Sequence, residues 1–454
     1  MLLKKVKGSF AFLAAICLCM FLGAPALADD LFPERLYEGK PFAEYAEIAD
    51  IPEVDGYSAY VYNVETGSVM YQKKQSDIVY PASTVKLMTA IVAYENIAEL
   101  STPITASQTA VRAARGTNMA IKEGETFTAE QLLYGLLVTG ANDAANVLAE
   151  YVGGSIENFC QMMNDKAASI GASSTTYVNP TGIHADSMKT TARDTAVIAR
   201  YFYYINPLYE MSCTTRYIIP ETPQTKRQRV LLNRNLLISR VRSDKYYYSA
   251  AKGMSLGNTP EAGECIVTSA VDESGLTYIC VIMNAHADDE TNRACTDAAA
   301  LLSMCLNNFS YTTVLSPKTL ISELPVHLAV DTDYVTLLPG AELKALLPKE
   351  LDFAADITTE PRVSEDFAIA PVKEGQIFGE VVVKYKGETV LGAVELVASQ
   401  SIDKSNVLYF LDRAKRLVLG EWFRVFAVTA LVLFGIYFLL SILVTRRKRR
   451  RGRR

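Results

Sequence analysis

The chain has 454 residues, a length typical of two or more domains. Half of the residues are apolar and 21% are charged, which excludes a disordered or low-complexity chain. Basic residues are concentrated at the two termini, so the stretch between them holds 34 Lys and Arg against 50 Asp and Glu. A region this acidic is a poor partner for a phosphate backbone, so we expect no nucleic-acid binding.

The N-terminus has the pattern of a secretory signal peptide. Three lysines precede an uncharged apolar run at residues 10–22, and the small residues Ala26 and Ala28 come before two aspartates. This order predicts a signal peptide over residues 1–28, because the apolar run is too short to favour a membrane span. A signal anchor is the alternative. Residues 29–50, which mix charges, Pro and aromatics, are expected to form a leader.

Alternating patterns and helical spacings predict an α+β domain over residues 51–312. Hairpins of alternating residues are expected near both ends of this region, with helices between them. The predicted hairpins cover 58–72 and 264–284, and the predicted helices cover 83–92, 129–137, 142–152 and 191–204. Strands at both ends with helices between them indicate an antiparallel sheet flanked by helices.

Residues 316–400 read as short strands separated by Gly-containing turns, which predicts a small β domain. Residues 401–424 place Val407, Leu411 and Val418 on one helical face, which predicts an amphipathic stem.

The C-terminus is predicted to anchor the chain in a membrane. Residues 425–444 carry no charge and are long enough to cross a hydrocarbon core of about 30 Å. The basic tail, 445–454, predicts a cytoplasmic end, so residues 29–424 are expected on the outer face of the cell membrane.

Cysteine and histidine usage argues against a metal site. There are only three His and no Cys-x-x-Cys, so we expect neither a metal nor another cofactor. The expected compartment permits disulfides, although buried free thiols are the favoured interpretation. The cysteines outside the signal peptide are Cys160, Cys213, Cys265, Cys280, Cys295 and Cys305.

A Ser-x-x-Lys pattern at Ser83 and Lys86 is the first candidate for chemistry. Positions i and i+3 share a helix face, so the amine can approach the hydroxyl. A serine needs an adjacent base to become a nucleophile, and a lysine serves only when burial or neighbouring cations lower its pKa. The same spacing begins at Ser249 and Ser401, so spacing alone leaves a plain helix-capping serine as the alternative at position 83.

The context of this serine resembles a known family. Residues 80–90 read Tyr-Pro-Ala-Ser-Thr-Val-Lys-Leu-Met-Thr-Ala, which is similar to the active-site segment of serine D-alanyl-D-alanine carboxypeptidases, the low-molecular-mass penicillin-binding proteins. Further matches follow in chain order. They lie at 124–125, 132–137, 142–145, 179–184, 190–194, 253–254, 257 and 261–263.

The resemblance implies a β-lactamase/transpeptidase-like fold and an acyl-enzyme reaction on peptidoglycan stem peptides, with β-lactams as covalent ligands. It implies that Ser83 is the nucleophile, that Lys86 is its base and that Asn142 holds the substrate amide and the lysine. It also implies an oxyanion hole from the N–H groups of Ser83 and Asn258.

Two motifs depart from the family pattern. The family's Ser-x-Asn is Gly140-Ala141-Asn142 here, and its Lys-Thr-Gly is Ser255-Leu256-Gly257. The missing Lys and Thr normally meet the substrate carboxylate, with a charged hydrogen bond worth about 1.5–3 kcal/mol. Lys252 is the obvious substitute, but its odd offset on a strand points it to the opposite face unless a bulge intervenes.

Two hypotheses therefore remain. One is a serine D-alanyl-D-alanine carboxypeptidase that uses Ser83, Lys86 and Asn142, with Ser255, Gly257 and Asn258 at the substrate. The other is a catalytically impaired homologue with a cell-wall binding or scaffolding role. His184 is expected to serve loop packing rather than catalysis.

Overall fold

A computed structural model describes residues 35–36, 39–287 and 291–451, without the side chains of 445–451. The predicted signal peptide, 1–28, and the end of the basic tail, 452–454, lie outside the described residues. The chain divides into two compact units. The first unit is Met1–Tyr311 with Leu346–Glu350, and the second unit is Thr312–Ala345 with Leu351–Arg454.

The first unit is built on a five-stranded antiparallel sheet. The strands of the whole unit, in chain order, are β1 (Ser58–Asn63), β2 (Val69–Lys73), β3 (Pro103–Thr105), β4 (Thr126–Thr128), β5 (Arg216–Ile219), β6 (Arg229–Leu232), β7 (Ala251–Thr259), β8 (Gly263–Val271) and β9 (Thr277–Ala285). The order in the main sheet is β2-β1-β9-β8-β7, with β3–β4 and β5–β6 as separate hairpins. Consecutive residues of β8 and β9 are buried, so both faces of the central strands are covered.

Helices pack around this sheet. They are α1 (Phe42–Tyr45), α2 (Val85–Asn96), α3 (Gln108–Ala113), α4 (Ala129–Val138), α5 (Asn142–Gly153), α6 (Ile156–Ser169), α7 (Ala192–Tyr204), α8 (Asn206–Cys213) and α9 (Arg293–Asn308). Residues Val85 to Ala93 of α2 are all buried, which makes α2 the central helix of the unit. The predicted antiparallel sheet flanked by helices is confirmed. The sequence patterns did not reveal five of the helices, namely α1, α3, α6, α8 and α9.

Part of the predicted leader, residues 29–50, is packed against the first unit. Phe42, on α1, is fully buried, and its ring lies 5.2 Å from that of Phe309. The segment after residue 39 therefore packs on the first unit, because an aromatic pair removes a large apolar area from water.

The second unit is mainly β structure. Two strands, β10 (Phe309–Leu315) and β13 (Leu343–Pro348), are divided between the units, because residues 309–311 and 346–348 belong to the first unit. The other strands of the second unit are β11 (Ser322–His327), β12 (Tyr334–Pro339), β14 (Ile357–Val363), β15 (Ala368–Ile369), β16 (Ile377–Tyr385) and β17 (Thr389–Ala398), with a short helix, α10 (Phe353–Asp356). A six-stranded sheet has the order β14-β16-β17-β12-β11-β15, and β10 pairs with β13.

Two helices end the described chain: α11 (Asn406–Leu419) and α12 (Glu421–Arg451). Gly420, whose backbone is extended, separates them. The apolar helix begins at Glu421, four residues before the predicted span of 425–444. The helical segment Glu421–Val444 is long and apolar enough to cross a membrane, and its most apolar stretch of 18 residues has no buried residue.

The six described cysteines are all free thiols, and five of them are buried. Within the described part of the chain, no three His, Cys, Asp or Glu side chains lie close enough together to hold a metal ion.

Candidate active site

Ser83 lies in a tight turn at the start of the central helix. A 3₁₀ turn, Ala82–Thr84, leads directly into α2. Ala82 has a φ of +45°, a conformation that costs energy for any residue with a side chain. Gly182 packs against this turn, since a Cβ there would lie 1.9 Å from the Ala82 carbonyl oxygen. The strained turn is therefore held by its neighbours.

Lys86 contacts Ser83 and is buried. Its Nζ lies 3.2 Å from Ser83 Oγ and also donates to the carbonyl oxygen of Thr181. Burial, and secondarily the charge of Arg234, lower the pKa of Lys86 to about 7. A substantial fraction of the amine is therefore neutral at neutral pH, which is what a general base requires.

Asn142 is the first residue of α5, and it lines a cavity together with Ser83. Its Nδ2 donates to the Arg115 carbonyl oxygen at 2.6 Å, whereas its buried Oδ1 has no partner among the described residues. The neighbouring Asp143 accepts from the N–H groups of Met119 and Ile121, which fixes the loop before it. Asn142 makes no hydrogen bond to Lys86, so its free acceptor points to a ligand group rather than to the lysine.

Strand β7 forms the opposite wall. Ser255 Oγ donates to the Ser83 carbonyl oxygen at 3.0 Å, and a Cβ at Gly257 would lie 2.3 Å from Ser83 Cβ. Only glycine fits at 257. Asn258, the next residue, lines a cavity of about 330 Å³ together with Ser83, Asn142, His184 and Arg234.

Lys252 does not replace the missing third-motif lysine. A bulge does occur in β7 between Lys252 and Met254, yet the Lys252 side chain is exposed. It is not among the residues that line the cavity. Despite the bulge, Lys252 therefore remains outside the cavity that Ser83 lines.

Arg234 is the cation in the cavity, and sequence reasoning missed it. Its Nη1 donates to Thr117 Oγ1 at 2.9 Å, and its charge is one cause of the lowered pKa of Lys86. A Cβ on Gly140 would lie 3.3 Å from Arg234 Cδ, so the loss of the second-motif serine makes room for the arginine.

Two buried asparagines hold Arg234 in place. Asn233 Nδ2 donates to the carbonyl oxygens of Ser212 and Thr214, and Asn235 Oδ1 accepts from the Leu237 N–H. The triplet Asn233-Arg234-Asn235 directly after an apolar strand was the available signal, because polar residues that recur at a strand end often serve a site.

His184 packs at the rim. Its Nε2 lies 3.1 Å from Asp186 Oδ1, and its ring meets the edge of Tyr80 at 4.6 Å. It lines the cavity as well, and its buried Nδ1 has no hydrogen-bond partner among the described residues. The expectation that His184 serves loop packing stays a prediction.

A serine that lines a cavity, with a buried lysine of lowered pKa 3.2 Å from its hydroxyl, has the parts of a serine acyl-transfer site. A family model described as "D-alanyl-D-alanine carboxypeptidase" matches residues 45–287, and the chain belongs to this family. The resemblance inferred from residues 80–90 is thereby confirmed.

Relatives and solved structures agree. The chain is 26% identical to D-alanyl-D-alanine carboxypeptidase DacF of Bacillus subtilis over 369 residues, or 80% of this chain and 89% of the relative. It is 31% identical to DacB2 of Mycobacterium tuberculosis over 238 residues, or 50% and 80%. The crystal structure of DacD from Francisella tularensis has a TM-score of 0.60 at 22% identity, covering 84% of this chain and all of that one (100%). This likeness confirms the fold class.

Proposed function

We propose that this chain is a serine D-alanyl-D-alanine carboxypeptidase that acts on peptidoglycan stem peptides and is acylated by β-lactams. The observation that carries the proposal is the contact between Lys86 Nζ and Ser83 Oγ, 3.2 Å apart, in a member of this family. The pKa of Lys86, lowered to about 7, supports its role as base.

The reaction proceeds in two acyl transfers. Neutral Lys86 takes the hydroxyl proton as Ser83 Oγ attacks the carbonyl of the penultimate D-Ala, and the oxyanion accepts hydrogen bonds from the N–H groups of Ser83 and Asn258. The C–N bond then breaks, and Lys86 returns the proton to the amine of the leaving D-Ala. Water then attacks the seryl ester as Lys86 takes its proton. Lys86 gives this proton to Ser83 Oγ when the ester bond breaks, which releases the shortened peptide and restores the neutral lysine.

Arg234 takes the place of the third-motif lysine in this mechanism. Its guanidinium lines the cavity and is not paired with a carboxylate among the described residues. A guanidinium binds a carboxylate with two parallel hydrogen bonds, so Arg234 receives the C-terminal carboxylate of the peptide. Asn142 Oδ1 accepts the substrate amide N–H.

The expected cellular arrangement follows from the ends of the chain. We infer a signal peptide, 1–28, a catalytic domain, 51–312, a β domain, 316–400, and a single span over 425–444 with the basic tail in the cytoplasm. The exposed apolar helix Glu421–Val444 supports the anchor. If this topology holds, protease added to intact cells digests the first unit but does not reach the tail.

The second candidate is a catalytically impaired homologue that binds cell wall without cleaving it. The replacements at Gly140, Ser255 and Leu256 favour it, because they remove three polar groups of the family site.

Intact-protein mass after incubation with benzylpenicillin separates the two. The full chain in detergent is compared with Ser83→Ala. An adduct on the parent alone supports the enzyme, and release of D-Ala from an acyl-D-Ala-D-Ala peptide completes the test. A folded parent that forms no adduct and releases no D-Ala favours the binding role.

A further inference from the structure

A second cavity adjoins the candidate active site. It has a volume of about 180 Å³ and is lined by Arg234, Leu236, Arg242, Leu256, Asn258 and Asn292. Arg234 and Asn258 also line the first cavity, so the two cavities are neighbours that share part of their walls. A group bound at Arg234 in the first cavity therefore has a neighbouring space to extend into.

Two arginines, and no carboxylate of the described residues, line the second cavity. Arg234 and Arg242 both line it, and neither forms an ion pair with a carboxylate in the part of the chain that the structure describes. Burial, and then the charge of Arg242, lower the pKa of Arg234, so the two guanidinium groups repel each other. Arg234 is half-buried whereas Arg242 is exposed, so the cost of a missing counter-ion falls mainly on Arg234, and an anionic ligand removes that cost.

The remaining walls are apolar or already engaged. Leu236 and Leu256 contribute half-buried aliphatic surface. Asn292 Nδ2 donates to Glu264 Oε1 at 2.8 Å, and its Oδ1 accepts from the Cys295 N–H, so this amide is not free to bind a ligand. Two aliphatic walls with two cations suit a short methylene chain that ends in a carboxylate.

Arg242 is carried by a loop that is anchored at its base. Its N–H donates to the Ser239 carbonyl oxygen, and the N–H of Tyr248 donates to that of Leu237. Arg240, on the same loop, differs from Arg242 because its Nε lies 4.0 Å from Asp244 Oδ1 and its guanidinium lies over the Tyr247 ring. Arg240 has both a carboxylate and an aromatic neighbour, and it does not line the cavity.

We propose that the second cavity is a subsite for a leaving residue with a side-chain carboxylate, that is, a dicarboxylic D-amino acid after the scissile bond. The inference rests on the proposed function, in which Arg234 binds the C-terminal carboxylate. That carboxylate and the side chain leave the same Cα, so the side chain extends past Leu256 to Arg242. Acylation of Ser83 then breaks the peptide C–N bond and releases this residue with a free amine, protonated by Lys86.

The test compares isosteric leaving residues. N-acetyl-D-alanyl-D-glutamate and N-acetyl-D-alanyl-D-glutamine differ only in the side-chain charge. We expect kcat/KM of the parent to favour the D-Glu peptide by about tenfold or more, the range of one charged hydrogen bond. Arg242→Gln reduces this ratio to about one, and the matched Arg240→Gln variant keeps it. Equal rates for the two peptides in the parent, or a ratio that survives in Arg242→Gln, overturn the subsite.

A binding experiment keeps the subsite separate from the activity. Ser83→Ala is titrated with the same two peptides by calorimetry. Preference for the D-Glu peptide that is lost on adding Arg242→Gln supports the subsite even if the parent forms no penicilloyl adduct, in which case only the carboxypeptidase activity fails. A parent that cleaves both peptides without preference retains the activity and loses the subsite. Absence of binding of either peptide rejects the subsite.

Discussion

Arg234 lies directly against Gly140, since a Cβ on the glycine would be 3.3 Å from Arg234 Cδ and 3.7 Å from its Nη1. The two departures of this chain from the family pattern are therefore linked. The small residue at 140 provides space for a cation that occupies the cavity in which the third motif no longer supplies one.

Restoring the second motif is expected to harm the site. Gly140 has a φ of +68°, so Gly140→Ser adds backbone strain and also displaces Arg234. We expect the second-order rate constant for acylation by benzylpenicillin to fall about tenfold, the range of one charged hydrogen bond. Gly154→Ser is the matched control, because Gly154 has a φ of +72° but no neighbour within 4 Å of a new Cβ. Faster acylation in Gly140→Ser would contradict the linkage.

Arg234 is expected to set the pH dependence of acylation. Its charge favours the neutral form of Lys86, so Arg234→Gln raises the pKa of Lys86 above its value of about 7. The rise of acylation rate with pH then moves to higher pH in the variant. Rates are measured with benzylpenicillin from pH 5 to 9. Arg112→Gln, a loss of charge at an exposed position of α3, leaves the profile unchanged. A superimposable profile in Arg234→Gln would remove Arg234 from this role.

A lysine at 255 is expected to compensate for the loss of Arg234. The Ser255 side chain already contacts Ser83, the proposed nucleophile, since its Oγ lies 3.0 Å from the Ser83 carbonyl oxygen. We expect Ser255→Lys to recover part of the acylation rate lost in Arg234→Gln. The same change in the parent gives no gain, because it places a third cation near Lys86 and Arg234. A double-mutant cycle measures this coupling, and additive effects would show that the two cations do not substitute for each other.

The buried Lys86 is expected to lower the free energy of unfolding. In the unfolded chain its pKa is near 10.4, and in the folded chain it is about 7. The unfolded state therefore binds more protons between these values, and stability rises with pH across that window.

Lys86→Met removes this cost. The gain in free energy of unfolding is expected to be largest at or below pH 7 and to shrink by about 1.4 kcal/mol per pH unit above it. Urea unfolding at pH 6, 7 and 9 measures it, with exposed Lys189→Met as the control. A gain that does not change with pH would mean that the amine is not the cause.

Arg229 is expected to stabilise the loop that contains Met119 and Ala120. It forms a buried ion pair with Glu125 at 2.7 Å and donates to the carbonyl oxygens of Met119 and Ala120. Arg229→Met leaves the carboxylate buried and unpaired, which costs about 3–5 kcal/mol. Lys40→Met breaks an exposed pair and costs at most about 1 kcal/mol. The midpoints of urea unfolding give both values, and similar losses in the two variants would refute the assignment.

The sequence predicts most reliably what depends on neighbours along the chain. The approach of Lys86 to Ser83 follows from i,i+3 spacing on one helix. The membrane-spanning candidate follows from an uncharged run of sufficient length. The hairpins follow from alternation around a turn. In each case the residues involved are close in sequence, so a local pattern carries the information.

The cation in the cavity depends on tertiary structure. Lys252 is near the third motif in sequence, yet it is exposed beside a bulge in β7. Arg234, which follows strand β6 in the chain, lines the cavity instead. Its position depends on Asn233 and Asn235, on the space above Gly140 and on Thr117, which come from separate parts of the chain. The sequence by itself therefore determined the family and the candidates for the nucleophile and its base. Only the folded chain decided which positive charge faces them, because electrostatic effects depend on distance through space and not on separation along the chain.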